Sequence, residues 1–479
     1  MTGERTINPG FADSLRSRPM AGSIHAASLA LALAFGATAP GPAGDDFVPG
    51  QIVWGGGSRE LLDLISARYA LTWIDYIPEL GAHLLASGTS RDVREVSAEI
   101  SQINGVSYCE PNFILNSPEP VQQSQPFVDF VGGIMFKTQE AASALTLSGA
   151  HEHFTGNDVT VAIIDGGVNF DHPLLRSVVV SGADYVDSDS LAFDEPGGAN
   201  SGHGTFVAGI VHLAAPDAPL RAYRVLDTSG AGDGFSVARS IVRATNDGCQ
   251  VVNLSLVMSG QYAALADALG YARANNVTLV AAAGNDNTEP PRFPASDERT
   301  IAVAALDSAL MKSDFSNYGE LITISAPGTD IYGPFLDTSY AFWNGSSFAA
   351  PFVSGQAALI YSARPDAVPD FVRGMIRESA EPIDSLNPGL SGKLGAGLLN
   401  PDASLLLTSN LVCGDANFDG SVNISDITFL ISHMFAQGAA PRFRITGDPN
   451  GDGRIDIADV TNLIARIFSV GAVPVCVFD

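Results

Sequence analysis

The chain has few cysteines, few positive charges and few long apolar runs. Its 479 residues include 4 cysteines and 25 lysines and arginines, against 52 aspartates and glutamates, so the formal net charge is −27. Such a surface repels phosphate, and bulk electrostatics therefore exclude a nucleic-acid-binding protein. The cysteines lack Cys-x-x-Cys and Cys/His metal spacing. Beyond the N-terminal region, no stretch is long and apolar enough to predict a membrane span.

The first part of the chain, residues 1–44, has the composition of an export signal. Arg16 and Arg18 precede an apolar run over 26–35, and small residues and prolines follow it. This run is too short to cross a bilayer. Met20 is an alternative start, which would remove both arginines and weaken the signal. We predict a signal peptide over residues 1–44 and therefore a secreted or cell-surface protein.

Hydrophobic periodicity divides the rest of the chain into three parts. Residues 45–120 follow the order β-α-β-β-α-β, which predicts an N-terminal α+β unit of ferredoxin-like type. Residues 117–126 are rich in Pro and Gln, which predicts an exposed linker or cleavage segment. Over residues 121–410, near-continuous apolar runs alternate with helical segments, which predicts an α/β fold with a doubly wound, mostly parallel sheet. The last part, 411–479, contains two copies of a loop followed by a helical segment, which predicts a small α-helical domain.

Three short segments far apart in the chain each carry one reactive side chain. Asp165 ends an apolar run, His203 lies in Gly-His-Gly-Thr, and Ser347 lies in Gly-Ser-Ser-Phe-Ala-Ala-Pro. Serine is a weak nucleophile until a base takes its proton, so we predict His203 as the base and Asp165 as its orienting partner. A helical pattern starts at Ser347, and a helix N-terminus offers donors to an oxyanion. Asn285, after another apolar run, is the predicted second donor.

These segments, in the order Asp, His, Ser, resemble the subtilisin-like serine proteases, or subtilases. The similarity covers most of residues 150–405 and includes Asn-Leu-Ser-Leu at 253–256 and Phe-Ser-Asn-Tyr-Gly at 315–319. It implies a serine endopeptidase that hydrolyses protein or peptide substrates through an acyl-enzyme. It also implies that the substrate backbone pairs with the cleft as an added strand. The substrate-binding residues implied by the resemblance are Ser255, Leu256, Val257, Ala283 and Gly284.

The unit at residues 45–120 resembles the inhibitory propeptide of these enzymes, with its closing strand matching over 105–112 except at Cys109. The resemblance implies a zymogen whose own propeptide acts as a folding chaperone and as an inhibitor. A small, unrelated binding domain is the alternative interpretation.

Four positions depart from the pattern of the family, and one of them, Ser346 in place of the usual threonine, is a mild change. Gly166 stands where a hydroxyl usually hydrogen bonds the catalytic carboxylate, which predicts weaker alignment of Asp165. Phe348 replaces the usual methionine, which removes a site of oxidation but crowds the nucleophile. Val257 replaces the usual glycine, which predicts a narrower first specificity pocket.

The C-terminal part contains one loop-and-helix unit twice, with Asp415 of the first copy recurring as Asp448, 33 residues later. Each loop carries Asp and Asn side chains and one glycine at the spacing of an EF-hand loop, in which the ligands are oxygen atoms. An EF-hand loop also uses one backbone carbonyl as a ligand. Oxygen ligands of this kind suit Ca²⁺. The predicted ligands are Asp415, Asn417, Asp419, Ser421, Asn423 and Asp426 in the first loop, and Asp448, Asn450, Asp452, Arg454, Asp456 and Asp459 in the second.

These paired units resemble a dockerin domain. The resemblance implies calcium-dependent folding and binding to a cohesin module. Ile424 and Ser425, and Ile457 and Ala458 in the second copy, occupy the positions used for recognition. A purely structural calcium domain is the rival interpretation.

Cys413 and Cys476 bracket the C-terminal part, and we predict a disulfide between them in an oxidising compartment. Cys249 has the surroundings of a small buried hydrophobe. The leading hypothesis is a secreted serine endopeptidase with a calcium-dependent C-terminal module. The alternative is a non-catalytic surface or assembly protein that uses a protease-like scaffold, and Gly166 and Val257 favour it.

Overall fold

A computed structural model describes residues 47–121, 127–129, 132–187, 189–258 and 260–468 of the protein. The predicted signal peptide and Cys476 lie outside these residues, and their assignments stay predictions. No helix within the described ranges has the length and apolarity that a membrane span needs.

The N-terminal unit is an antiparallel sheet covered by two helices. Its elements are β1 (Phe47–Gly55), α1 (Arg59–Tyr69), β2 (Leu71–Ile77), β3 (Ala82–Ser87), α2 (Val93–Ser101) and β4 (Tyr108–Asn116). The strands lie in the order β2-β3-β1-β4, which confirms the predicted ferredoxin-like arrangement. Ser58 and Asp92 cap the helices by accepting hydrogen bonds from N–H groups of the first turn. Val96 and Ile100 are buried in the core of this unit.

Short elements connect this unit to the central sheet. They are α3 (Pro118–Val121), β5 (Phe127–Asp129), α4 (Gly133–Thr138), α5 (Glu140–Ala144) and α6 (Leu147–His151). The exposed linker predicted for residues 117–126 is wrong at its start, because Ser117 and Glu119 are completely buried. Local composition could not predict this burial, since the preceding strand carries the chain into the centre of the next domain.

The central domain is built on a parallel sheet. Its elements are β6 (Val161–Asp165), β7 (Val179–Asp184), α7 (His203–Ala214), β8 (Leu220–Arg224), β9 (Ala231–Asp233), α8 (Gly234–Asn246), β10 (Val251–Leu254), α9 (Ala263–Ala274), β11 (Thr278–Ala282), β12 (Thr300–Leu306), β13 (Ile324–Pro327), β14 (Ile331–Pro334), β15 (Tyr340–Trp343), α10 (Ser346–Ala363), α11 (Pro369–Glu378) and α12 (Pro401–Asn410). The sheet order is β13-β12-β11-β10-β6-β8-β7, with parallel neighbours throughout. The predicted doubly wound α/β fold is confirmed.

The order of strands places the candidate residues at one edge. Strands β6, β10 and β11 are adjacent, and their carboxyl ends lead to Asp165, Ser255 and Asn285 respectively. These strands are buried on both faces, which explains their uninterrupted apolar sequences. Ligands of open parallel sheets bind beyond this edge.

The N-terminal unit is fixed to the central domain through two helix starts and one strand. Glu110 accepts hydrogen bonds from the backbone N–H groups of Ala263 and Ala264 at the start of α9. Asn112 Oδ1 accepts from Phe235 N at the start of α8. Strand β4 also pairs with β9, so the sheet of the N-terminal unit extends into the central domain.

The C-terminal part has two helices, α13 (Ile424–Phe435) and α14 (Ile457–Phe468), each of which follows one repeated loop. A 3₁₀ turn, Arg444–Thr446, joins the repeats. Arg444 hydrogen bonds to Glu378 at the end of α11, and Phe443 packs into the core of the central domain. The predicted helical C-terminal unit is therefore present and packs against the central domain.

Candidate active site

Asp165 and His203 meet at the carboxyl edge of the sheet. Asp165 is the last residue of β6, and His203 is the first residue of α7. His203 Nδ1 lies 2.8 Å from Asp165 Oδ1 and 3.0 Å from Oδ2, and both residues are fully buried. Because the carboxylate holds Nδ1–H, the opposite nitrogen Nε2 is directed at the cleft, as a general base requires.

A second buried carboxylate, Asp194, fixes the start of α7. It accepts hydrogen bonds from Gly202 N at 2.8 Å, Thr205 N at 3.1 Å and Thr205 Oγ1 at 2.6 Å. Burial raises the pKa of Asp194 to about 7, although these hydrogen bonds act in the opposite direction. Asp194 thereby supports the turn that carries His203. Sequence reasoning missed this residue, because an aspartate in a loop well before the helix gives no local capping signal.

Ser347 lies in the first turn of α10, and hydrogen bonds anchor that turn to the end of β10. Ser255 Oγ donates to Ser347 O at 2.8 Å, and Ser347 Oγ lies 3.4 Å from Ser255 O. Asn253 Nδ2 donates to Ser255 Oγ at 2.9 Å, and Ser354 Oγ donates to Asn253 Oδ1 at 2.8 Å. These contacts give the hydroxyl of Ser347 a fixed position.

Asn285 follows β11 and presents its amide nitrogen to the same cleft. Ser346 N donates to Asn285 Oδ1 at 2.9 Å, so the other end of the amide, Nδ2, is directed at the site. Ser346 Oγ accepts from Gly284 N at 3.1 Å. Gly284 has φ +102°, and a Cβ there would lie 2.6 Å from the Asn317 amide nitrogen, so this turn requires glycine.

The centre of the site holds a side chain that sequence reasoning missed, Glu119 from α3. Its Oε2 accepts a hydrogen bond from Ser347 Oγ at 2.9 Å and lies 3.0 Å from His203 Nε2. Its Oε1 accepts from Asn285 Nδ2 at 2.9 Å. One carboxylate thus contacts all three groups that would meet a substrate carbonyl.

The charges in this buried cluster stabilise one another. Burial alone would lower the pKa of His203, but the carboxylates of Asp165 and Glu119 raise it to about 10. Burial alone would raise the pKa of Glu119, but hydrogen bonds from His203, Ser347 and Asn285 hold it below its usual value. The imidazole is therefore a cation that donates to a carboxylate on each side.

The strand that precedes Glu119 follows the cleft. Asn116 N donates to Val257 O at 3.0 Å, and Val257 N donates to Asn116 O at 2.9 Å. On the other side, Ser117 N donates to Gly230 O at 2.9 Å. The end of β4 therefore lies between two segments of the central domain as an added strand.

The five cleft residues implied by the family resemblance lie at this edge of the sheet. Val257 pairs with the added strand, Ser255 contacts Ser347, and Gly284 contacts Ser346. Leu256 and Ala283 are fully buried between these contact points, and Ala283 N donates to Val303 O.

Two of the departures from the family pattern have local consequences. Gly166 N donates to Asp165 Oδ1 at 2.7 Å, so the backbone supplies a hydrogen bond where the hydroxyl is missing. A Cβ at Gly166 would lie 2.8 Å from Asn200 Nδ2, and neither polar atom of the Asn200 side chain has a hydrogen-bond partner among the described residues. The buried Phe348 ring lies 5.3 Å from the His203 ring, so its bulk packs against the imidazole.

The two repeated loops have matching geometry. The N–H groups of Gly420 and Gly453 donate to the first aspartate of their loops, Asp415 and Asp448. Burial and neighbouring carboxylates raise the pKa of Asp459 to about 6, and its Oδ1 is buried without a hydrogen-bond partner among the described residues. No three His, Cys, Asp or Glu side chains of the described ranges cluster as a metal site, but loops of this type also use Asn and carbonyl oxygens. The unpaired Oδ1 of Asp459, with the carboxylates of Asp448 and Asp452 near it, fits a Ca²⁺ ion in the second loop.

The cysteines divide into two kinds. Cys413 is disulfide-bonded, whereas Cys109 and Cys249 are buried free thiols. Because Cys476 lies outside the described residues, its pairing with Cys413 stays a prediction. Burial raises the pKa of Cys249 to about 11, which makes it unreactive and suits the predicted packing role.

A doubly wound sheet with an Asp, His, Ser and Asn cluster at its carboxyl edge defines a subtilisin-type serine protease. Family models match three parts of the chain: the fervidolysin N-terminal prodomain over residues 35–112, the subtilase family over 156–397 and the dockerin type I domain over 413–468. The chain belongs to the subtilase family. The prodomain match begins within the predicted signal peptide. The boundaries of the four parts, 1–44, 45–120, 121–410 and 411–479, remain predictions.

Characterised relatives agree with this membership. Thermitase from Thermoactinomyces vulgaris is 38% identical over 238 residues, which are 48% of this chain and 83% of thermitase. Subtilisin DY from Bacillus licheniformis is 35% identical over 264 residues, 52% of this chain and 92% of that protein. These relatives favour a serine endopeptidase over the non-catalytic alternative.

A solved structure supports the arrangement of prodomain and sheet. Fervidolysin from Fervidobacterium pennivorans, described as a keratinolytic enzyme related to subtilisin, aligns with a TM-score of 0.63 and 23% identity. The alignment covers 76% of this chain and 62% of fervidolysin. At this identity the likeness establishes the fold alone.

Replacing Asn285 by alanine is expected to lower kcat roughly 10²–10³-fold with little change in KM, the size of effect known for the oxyanion asparagine of subtilisin itself. The side chain would contact the oxyanion and not the ground-state substrate. Steady-state kinetics of the processed enzyme test this. An unchanged kcat, in a variant whose melting temperature is also unchanged, would show that other donors hold the oxyanion.

Proposed function

We propose that this protein is made as a zymogen and, once processed, hydrolyses peptide bonds with Ser347 as nucleophile and His203 as base. Ser347 Oγ attacks the substrate carbonyl carbon while His203 Nε2 takes its proton. Asp165 stabilises the resulting imidazolium through Nδ1. The Asn285 amide and the N–H at the start of α10 stabilise the oxyanion. His203 then protonates the leaving amine, and water releases the acyl group by the reverse sequence.

The single observation that carries this assignment is the convergence of three donors on one carboxylate. Ser347 Oγ, His203 Nε2 and Asn285 Nδ2 lie within 3.0 Å of Glu119 oxygens. A substrate carbonyl in the same place would meet the nucleophile, the base and the oxyanion donor together. The strand pairing of Asn116 with Val257 supports an extended peptide as substrate.

Incubation of the purified full chain tests the proposal. We expect casein hydrolysis that is blocked by phenylmethanesulfonyl fluoride, together with a new N-terminus that follows the prodomain strand. N-terminal sequencing would also report whether residues 1–44 have been removed, as export requires. An intact chain without hydrolytic activity, in a sample with a normal thermal transition, would contradict the proposal.

We further propose that residues 411–479 bind two Ca²⁺ ions and dock the enzyme to an extracellular or cell-surface partner of the cohesin type. Bound Ca²⁺ would neutralise the carboxylates of each loop and hold the loop closed at the start of its helix. The exposed apolar residues support a docking role, because they recur in both copies on one helix face. They are Ile424, Ile431 and Phe435 on α13, and Ile457, Ile464 and Phe468 on α14.

Calcium removal is expected to unfold the C-terminal unit and to leave the central domain folded. A ligand at about 1,000 times its Kd adds about 4 kcal/mol to the free energy of unfolding, a large share for two short helices. Scanning calorimetry of the full Ser347→Ala chain should lose its first transition in EDTA. Asp415→Ala with Asp448→Ala should reproduce the loss, whereas the exposed control Asp366→Ala should not. Transitions that are identical with and without Ca²⁺ would remove the loop assignment.

A further inference from the structure

The carboxylate of Glu119 lies in a site that is built around it. Besides its contacts with Ser347, His203 and Asn285, Oε2 accepts a hydrogen bond from Ser117 Oγ at 2.9 Å. The whole side chain is excluded from solvent. A Cβ at residue 345 would lie 1.9 Å from Oε1, so Gly345 leaves the space that the carboxylate occupies.

The backbone around Glu119 is not presented for cleavage. Up to Ser117 the chain is extended and paired with both sides of the cleft. Pro118–Val121 is then helical, and a helical backbone cannot continue this pairing. The position of a scissile carbonyl is therefore taken by a side-chain carboxylate and not by a peptide bond.

We propose that Glu119 is a latch that keeps the unprocessed chain inactive, its side-chain carboxylate binding the nucleophile, the base and the oxyanion donor at once. This inference rests on the proposed function, because it treats these three groups as the catalytic machinery. The latch attributes the inhibition of the unprocessed chain to the Glu119 side chain as well as to the strand that fills the cleft.

Glu119 prevents proton transfer from Ser347 to His203 as well as entry of a substrate carbonyl into the site. His203 Nδ1 lies 2.8 Å from Asp165 and Nε2 lies 3.0 Å from Glu119. Because ionised carboxylates only accept hydrogen bonds, the imidazole carries a proton on both nitrogens and cannot accept another from Ser347. The hydroxyl of Ser347 is already donated to Oε2, and the Asn285 amide is already donated to Oε1. Processing then requires the Pro118–Val121 turn to unwind and the carboxylate to leave.

The rate at which a fluorophosphonate probe labels Ser347 in the unprocessed chain tests the latch. Glu119→Gln keeps the shape of the side chain and removes its charge, and Glu119→Ala removes the group. Both unprocessed variants should label at least about tenfold faster than the unprocessed wild type, because each loses charge-assisted hydrogen bonds. Glu95→Gln, at an exposed position on α2, should label like the wild type.

A second measurement separates the latch from general loosening of the prodomain. In the Ser347→Ala full chain, the His203 ring protons should titrate at higher pH than in Ser347→Ala with Glu119→Gln, as followed by NMR. A merely structural role for Glu119 would leave this titration unchanged, and that result would overturn the latch.

The labelling results also distinguish the latch from the protease assignment. If both Glu119 variants label as slowly as the unprocessed wild type while the processed enzyme labels rapidly, the latch is wrong and the protease assignment stands. If no form labels, the processed chain included, the proposed function fails and the latch fails with it.

Discussion

Replacing Ser347 by alanine is expected to lower kcat for peptide hydrolysis by roughly 10⁶-fold, the loss known for the corresponding serine of subtilisin. The neighbouring hydroxyls of Ser255 and Ser346 are not expected to take its place, because both are engaged in backbone contacts. The same variant should keep its prodomain attached. Steady-state kinetics and electrophoresis of the incubated chain measure the two effects.

The matched control for this variant is Ser362→Ala, a serine at the other end of α10 whose hydroxyl donates to Asn157. It should process normally and keep full activity. Autoprocessing by pure Ser347→Ala would contradict the assignment of the nucleophile, since only an alternative nucleophile in the same chain could cut it.

Asp165→Asn is expected to lower kcat by about 10⁴-fold, as in the corresponding change in a chymotrypsin-type triad. Both carboxylate oxygens lie within 3.0 Å of His203 Nδ1, and Oδ1 also accepts from Gly166 N. In the asparagine variant, Gly166 N–H would donate to the one oxygen left in the side chain, so the new NH₂ group would face the imidazole. His203 would then carry its proton on Nε2 and could not act as a base.

Kinetics of the processed Asp165→Asn enzyme check this expectation, with KM close to that of the wild type because the cleft is unchanged. Asp171→Asn, in the loop after β6, is a suitable control and should leave kcat unaltered. A loss smaller than tenfold for Asp165→Asn would mean that another group, such as the nearby Asn200 amide, orients the imidazole.

The features that sequence could predict are those set by local pattern. Buried parallel strands require uninterrupted apolar runs, so β6, β10 and β11 were predictable from composition alone. Because the carboxyl ends of parallel strands share one edge, the sequence also predicts that Asp165, Ser255 and Asn285 lie close together. The order of strands and helices in the N-terminal unit is likewise predictable from hydrophobic periodicity.

The features that sequence missed depend on contacts between distant segments. Glu119 lies in a stretch whose Pro- and Gln-rich composition predicts exposure, yet the pairing of β4 with β9 and Val257 carries it into the site. Asp194 supports His203 from a loop with no capping pattern. The lost hydroxyl at Gly166 is replaced by a backbone N–H, which no side-chain motif reveals.

The most direct test of the central claim is mass spectrometry of the processed wild-type enzyme after treatment with a fluorophosphonate. We predict one adduct per chain, located on the peptide that contains Ser347, and complete loss of casein hydrolysis as labelling reaches completion. An unlabelled chain, or an adduct at another serine with hydrolysis unaffected, would contradict the account of this protein as a serine protease that acts through Ser347.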